Sequence, residues 1–443
     1  MSPFGTKDLR VENETTSLVA PPSSRKGQPK IPSVLMAIVF VSNLSLVMTL
    51  LTILLIRMDI AASLTTWTMV VFVVFLALAW IYTLLATHGL LIWIRGELPL
   101  SKILWENDHA KYVTTSVSSS SDSTSSTRPR RTIEYFVWGS TQPNATVMVV
   151  CHGSNTTGKY LNEFLYPHPT MVALNVKVIS PSFPGHGGSD AQPFRRIHDW
   201  PKDDLMPILE AEQVDTFFVQ GTSYGTAHAM AVASHFGGGQ TTGRRCLAMG
   251  LHVPYLPEPI CREFKFHTDA DYLWSQSTLM QAWILLPSLS LLSLLQSQLA
   301  KGLSLLKEGP LVQAENPQLI RALQADVQRS FLRGPVGQVY EMFNATTNQQ
   351  WPDPRTIDCQ NVAIWYAQDD GACPPAHGKW LADVFTQKTQ EGTKLNINIR
   401  SEKKGLGHFT YMGNEDRDRG IMTRVLLDMI SKNSKQRSRN DSL

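Results

Sequence analysis

The stretch best suited to chemistry is Gly221-Thr222-Ser223-Tyr224-Gly225. A serine flanked two residues away by glycine on either side is the G-x-S-x-G pattern of a nucleophile on a sharp turn. Such a serine takes strained dihedrals, and the glycines leave room for the backbone to close. Residues 215–220 before it are apolar and β-prone, while 226–236 after it are rich in Ala, Met and His without a breaker. These compositions predict a buried strand, then a turn, then a helix. A serine hydroxyl is a poor nucleophile near neutral pH, so it needs a base within hydrogen-bond reach. The base in turn needs a carboxylate to fix its tautomer.

A framework must deliver those partners. Residues 145–151 (A-T-V-M-V-V-C) form a continuous apolar run, the kind found in parallel strands buried on both faces. Similar strand signals fall at 132–138, 176–180, 215–220, 246–251, 362–367 and 395–399, with helical stretches near 203–213 and 375–385. Strand–helix alternation of this kind predicts an α/β fold with a doubly wound, mostly parallel sheet.

Five motifs, in chain order, make the sequence resemble the α/β-hydrolase family over roughly residues 131–255 and 355–432. His152-Gly153-Ser154 follows a strand, as the family's oxyanion loop does. Pro184-Gly185-His186-Gly187-Gly188-Ser189-Asp190 is similar to the loop after the next strand, and the Ser223 elbow is third. Ala367-Gln368-Asp369-Asp370-Gly371-Ala372-Cys373-Pro374-Pro375 resembles the acid turn, and Gly407-His408-Phe409 the terminal histidine turn. The resemblance implies a triad of Ser223, Asp370 and His408, with oxyanion donors on the backbone of Tyr224 and of Ser154 or its neighbour Asn155. Imidazole suits the base because its pKa near 6.5 lets it take and return a proton. Asp369 is read as turn or solvent-facing. His152 and His186 sit in loops with roles of their own, His228 and His235 as packing or surface residues, and His377 at an exposed helix start. Two positions depart from the acid-turn pattern: Ala367 stands where glycine is usual, and Cys373 where valine is. Cys373 is read as a small buried hydrophobe rather than a second nucleophile.

Outside this region the composition shifts. Residues 1–30 are polar and Pro/Ser-rich and are expected to be disordered. No residue from 31 to 56 is charged, and a second uncharged run extends to Ile94. Two helices of this kind predict a transmembrane hairpin over 31–95. Arg25, Lys26 and Lys30 before it and Arg95, Lys102 and Lys111 after it predict cytosolic ends, with the endoplasmic reticulum the favoured membrane. Residues 96–130, almost all Ser and Thr between 114 and 127, read as a flexible linker. The hydrolase domain then spans 131–432, and a basic tail, 433–443, is expected to be disordered.

Between about 255 and 355 the chain leaves the sheet, as expected of a helical cap. Leu289, Leu292, Leu295, Leu299, Leu303 and Leu306 recur at helical spacing and form one apolar stripe, for packing or for lipid. With 443 residues and a net charge of +3, the chain gives no argument for nucleic acid as a partner, and no zinc-ligand spacing or Walker loop is present. The five cysteines lack paired spacing, which suits reduced, buried thiols. No metal or organic cofactor is implied. The expectation is a membrane-anchored serine hydrolase of carboxylic esters, lipid-like ones favoured. The alternative is a non-catalytic, membrane-tethered binding or scaffold protein of the same fold.

Overall fold

The computed structural model describes residues 66–95, 97, 109–116, 130–192, 196–238, 243–256, 316–338, 352–390, 395–402, 407–408 and 421–440, with isolated positions at 46–53 and 287–294. Helix α1, Thr66–Arg95, comes first, followed by strands β1 (Lys111–Ser116), β2 (Arg130–Gly139) and β3 (Thr146–Cys151). Short helices α2 (Tyr160–Leu165) and α3 (His168–Ala173) lead to β4 (Val176–Pro181), and α4 (Met206–Ala211) leads to β5 (Thr216–Thr222). Then come α5 (Gly225–Phe236), β6 (Arg245–His252), α6 (Pro317–Ser330), β7 (Asn361–Ala367), α7 (Pro375–Gln390), β8 (Asn396–Glu402) and α8 (Ile421–Asn440).

The strands form one eight-stranded sheet in the order β1-β2-β4-β3-β5-β6-β7-β8. β2 runs antiparallel to both β1 and β4, and the remaining pairs are parallel. Alternation along each strand sends side chains to two separate cores. Val149, Cys151, Phe217, Val219, Met249, Leu251, Val362 and Ile364 join α4, α5 and α7 on one face. Met148, Val150, Phe218, Ala248, Ala363 and Trp365 join α2, α3, α6 and α8 on the other. This is the mostly parallel, doubly wound α/β sheet that the sequence predicts. The order reverses between β3 and β5, so a crevice opens at their carboxyl ends, beside His152 and Ser223.

Two expected boundaries move. Part of the stretch read as linker, Lys111–Ser116, is an edge strand, with Tyr112 opposite Glu134 and Val113 opposite Ile133. Its K-Y-V-T-T-S sequence is too short and polar to stand out against the neighbouring Ser/Thr run. The tail read as disordered is helical through Asn440, continuing α8 across residues 431–440, which contain neither Gly nor Pro.

The expected disordered start, the first expected span apart from isolated positions, residues 117–129 of the linker, and the six leucines of the cap stripe lie outside the described residues. Leu291 and Leu294, near that stripe, are exposed. The second expected span is α1, 30 residues long. Its side chains are described without a gap only from 77 to 92. Counting described residues alone, no helix is long and apolar enough to cross a membrane.

Candidate active site

Ser223 sits where β5 ends and α5 begins, with φ at +55°, in the left-handed region that costs a non-glycine residue energy. Close packing enforces this turn. A Cβ on Gly221 would run into the backbone of Gly225, and one on Gly225 into the carbonyls of Cys151 and His152. Ser223 N–H donates to the His252 carbonyl at 2.9 Å, fastening the turn to β6. The Ser223 carbonyl accepts from Thr226 N–H at 3.0 Å and from Thr226 Oγ1 at 2.6 Å.

Asp370 and His408 meet across 38 residues of sequence: His408 Nδ1 lies 2.7 Å from Asp370 Oδ2, and both residues are buried. Asp370 Oδ1 accepts from the N–H groups of Ala372 at 2.8 Å and Cys373 at 2.7 Å, so the acid turn aims its own carboxylate. Asp369 is exposed. Of the two adjacent acids, Asp370 is the one that faces the imidazole.

The Ser223 hydroxyl has Cys373 Sγ as its hydrogen-bonding neighbour, at 3.7 Å. The same thiol hydrogen-bonds with His408. Burial pulls the His408 ring pKa down, but the Cys373 sulfur and the Asp370 carboxylate outweigh it and push it up to about 10. Next to it, burial pushes His252 down to about 3. Cys373 is buried as expected, yet it stands among the reactive groups. Its hydrophobic neighbours in sequence gave no sign of this.

On the opposite wall, Gly153 brings the β3 loop against Ser223: an added Cβ there would lie 3.6 Å from Ser223 Cβ. Ser154 and Asn155 follow on an exposed turn, with Asn155 at φ +55°. Ser154 N–H donates no hydrogen bond among the described residues, whereas Tyr224 is buried at the first turn of α5. His152 is a brace, its Nδ1 2.8 Å from the Gly153 carbonyl and its Nε2 accepting from Phe183 N–H at 2.9 Å. His228 stacks on Phe183 at 3.7 Å in the core. The expectation of an exposed His377 is corrected: it is fully buried, and its Nδ1 accepts from Leu256 N–H at 3.3 Å where the chain departs for the cap.

Asp326 on α6 is a residue that sequence reasoning missed. Fully buried, it accepts hydrogen bonds from the Thr157 hydroxyl, Tyr160 N–H (3.3 Å) and Leu161 N–H (3.2 Å). It thus clamps the segment just after Ser154-Asn155. Burial raises its carboxyl pKa to about 6 against those hydrogen bonds. Glu134 on β2 does the same for the neighbouring loop, accepting from Ser182 Oγ at 2.7 Å, Gly188 N–H at 3.0 Å and Arg329 at 2.6 Å. Neither carboxylate lies in a motif that spacing could have revealed.

No protein-family model and no curated protein matches the sequence. Among solved structures the chain is similar to a hydrolase from Pseudomonas aeruginosa, at 14% identity and a TM-score of 0.44 over 67% of this chain and 94% of that one. A thermophilic esterase from Thermogutta terrifontis gives 14% identity and a TM-score of 0.45 over 72% and 99%. An esterase from a Rhodococcus species gives 16% and 0.45 over 72% and 98%. Likenesses at this level transfer neither substrate nor mechanism.

Proposed function

We propose that this chain is a membrane-anchored serine hydrolase that cleaves carboxylic esters through an acyl-enzyme on Ser223. The observation that carries the reading is a serine held at φ +55° at the switch point of the sheet, its hydroxyl 3.7 Å from the Cys373 sulfur that hydrogen-bonds with His408 of the buried Asp370–His408 pair. In its neutral form, which the Cys373 sulfur and the Asp370 carboxylate disfavour, His408 takes the hydroxyl proton as Ser223 attacks the ester carbonyl. Asp370 holds the ring and stabilises its charged form. For this transfer the hydroxyl must exchange the Cys373 sulfur for the imidazole nitrogen. The N–H groups of Tyr224 and Ser154 receive the developing oxyanion. His408 then returns the proton to the departing alcohol, and water repeats the sequence to free the acid.

A membrane anchor and a lipid-like ester belong to the same proposal. At 1.5 Å per residue, the 30 residues of α1 reach roughly 45 Å, against a hydrocarbon core of about 30 Å. Along it Val71, Phe75, Leu78, Trp80, Leu84 and Leu91 each stand at least half exposed. The hydrolase domain is placed on the cytosolic side, with the endoplasmic reticulum favoured. The test is labelling with a fluorophosphonate probe, followed by a screen of acyl esters of graded length. Wild type is expected to be labelled and Ser223→Ala not. An unlabelled wild type would leave the scaffold reading in its place.

A further inference from the structure

The Cys373 sulfur is left over by the proposed reaction, although it touches both ends of it. Asp370, Cys373 and His408 are all buried, and each brings one donor atom, all lying within 4.8 Å of one another. Among the described residues this is the one trio of acidic, thiol and imidazole groups so close. Carboxylate, thiolate and imidazole are the donors that zinc takes, with bonds of about 2.0–2.3 Å that set neighbouring donors roughly 3.5 Å apart in a tetrahedron. With no two donor atoms more than 4.8 Å apart and His408 Nδ1 only 2.7 Å from Asp370 Oδ2, reaching that spacing requires the imidazole–carboxylate hydrogen bond to open around the metal. Asp370 is already aimed through Oδ1 by two backbone N–H groups, an outer-shell anchor of the kind that orients metal ligands. Ser223 Oγ lies 3.7 Å from the sulfur, next to the trio.

We propose that Asp370, Cys373 and His408 form an inhibitory binding site for a borderline-soft divalent cation, zinc by its donor set. Binding releases the thiol proton and the proton of the His408 imidazolium to solvent and ties up the imidazole lone pair, so the base that Ser223 needs is removed while the metal is held. This regulation rests on the hydrolase reading, but the site itself does not.

The full-length protein in detergent, with its thiols reduced, is titrated with Co2+ as a spectroscopic stand-in and with Zn2+ as competitor. Wild type and Ser223→Ala are expected to develop a thiolate-to-cobalt charge-transfer band that Zn2+ displaces, and Cys373→Val to show none. In wild type, Zn2+ should protect Cys373 from iodoacetamide, mapped by mass spectrometry, which needs no variant to fold. Fluorophosphonate labelling of wild type is lost on zinc binding and returns with a chelator, whereas whatever labelling Cys373→Val retains does not respond. No band and no protection in wild type overturn the proposal, even when labelling is strong. A band and protection without any labelling keep the metal site and overturn the hydrolase reading instead.

Discussion

Asp370 gives its two carboxylate oxygens different tasks: Oδ2 faces the His408 ring, and Oδ1 accepts from Ala372 and Cys373 N–H. An amide at this position keeps the turn but loses the charge that fixes the tautomer and stabilises the imidazolium. Asp370→Asn is therefore expected to lower kcat by about four decades while binding changes little. Asp369→Asn, on the exposed neighbour, should leave kcat within a factor of about two, as surface changes usually do. Steady-state hydrolysis of a short acyl ester separates the two, and an equal loss in both would reject the assignment. The elbow makes a second prediction at this scale. A methyl at Gly225 meets two fixed carbonyls, those of Cys151 and His152, with no flexible side chain to yield. Gly225→Ala should destabilise the fold by roughly 3–5 kcal/mol, visible as a large drop in denaturant midpoint.

Between elements, α6 reaches back across the sheet to hold the loops of β3 and β4, and Asp326 is its instrument. The folded carboxyl pKa of about 6 lies above the usual unfolded value near 3.9. A raised pKa contributes stability that is complete below pH 4 and is lost as pH rises through about 6. Asp326→Asn removes that dependence, so the variant should gain on wild type between pH 4 and pH 7. Denaturation midpoints at the two ends of that window decide the matter, and a constant difference would show that the side chain does not titrate there. The clamp also marks how far the sequence could be read. The elbow, the acid turn and the histidine turn were legible because each packs its chemistry into a few adjacent residues. Strands 145–151 and 215–220 were legible because burial on both faces leaves uninterrupted apolar runs. Asp326, Glu134 and the Cys373 sulfur were not, since their meaning lies in contacts made 150 to 195 residues away. Ordinary-looking side chains carry no periodic signal of such partners.

At the scale of the whole molecule, α1 is not joined to the sheet domain by a loose tether throughout. Glu97, two residues beyond its end, accepts from Ala191 N–H at 2.8 Å and lies 3.6 Å from Arg333. Arg333, just past α6, also pairs with Asp190 in the loop beside the crevice. Further up α1, His88 Nδ1 lies 2.8 Å from Ser290 Oγ in the cap region. The helix proposed to anchor the protein therefore makes contacts with Ser290 and, just past its end, with the loop of residues 182–191. Burial raises the Glu97 carboxyl pKa, outweighing the opposing pull of Arg333 and of the Ala191 N–H. Glu97→Ala strands the Ala191 N–H and part of the Arg333 charge in a dry site, a loss of about 1–3 kcal/mol. Asp199→Ala, which breaks the exposed Arg196–Asp199 pair, should change stability by less than about 1 kcal/mol. Thermal melts of the full chain in detergent compare them directly. Should Glu97→Ala melt no lower than Asp199→Ala, the link between anchor and active-site loop is not structural, and α1 is free to tilt independently of the domain it carries.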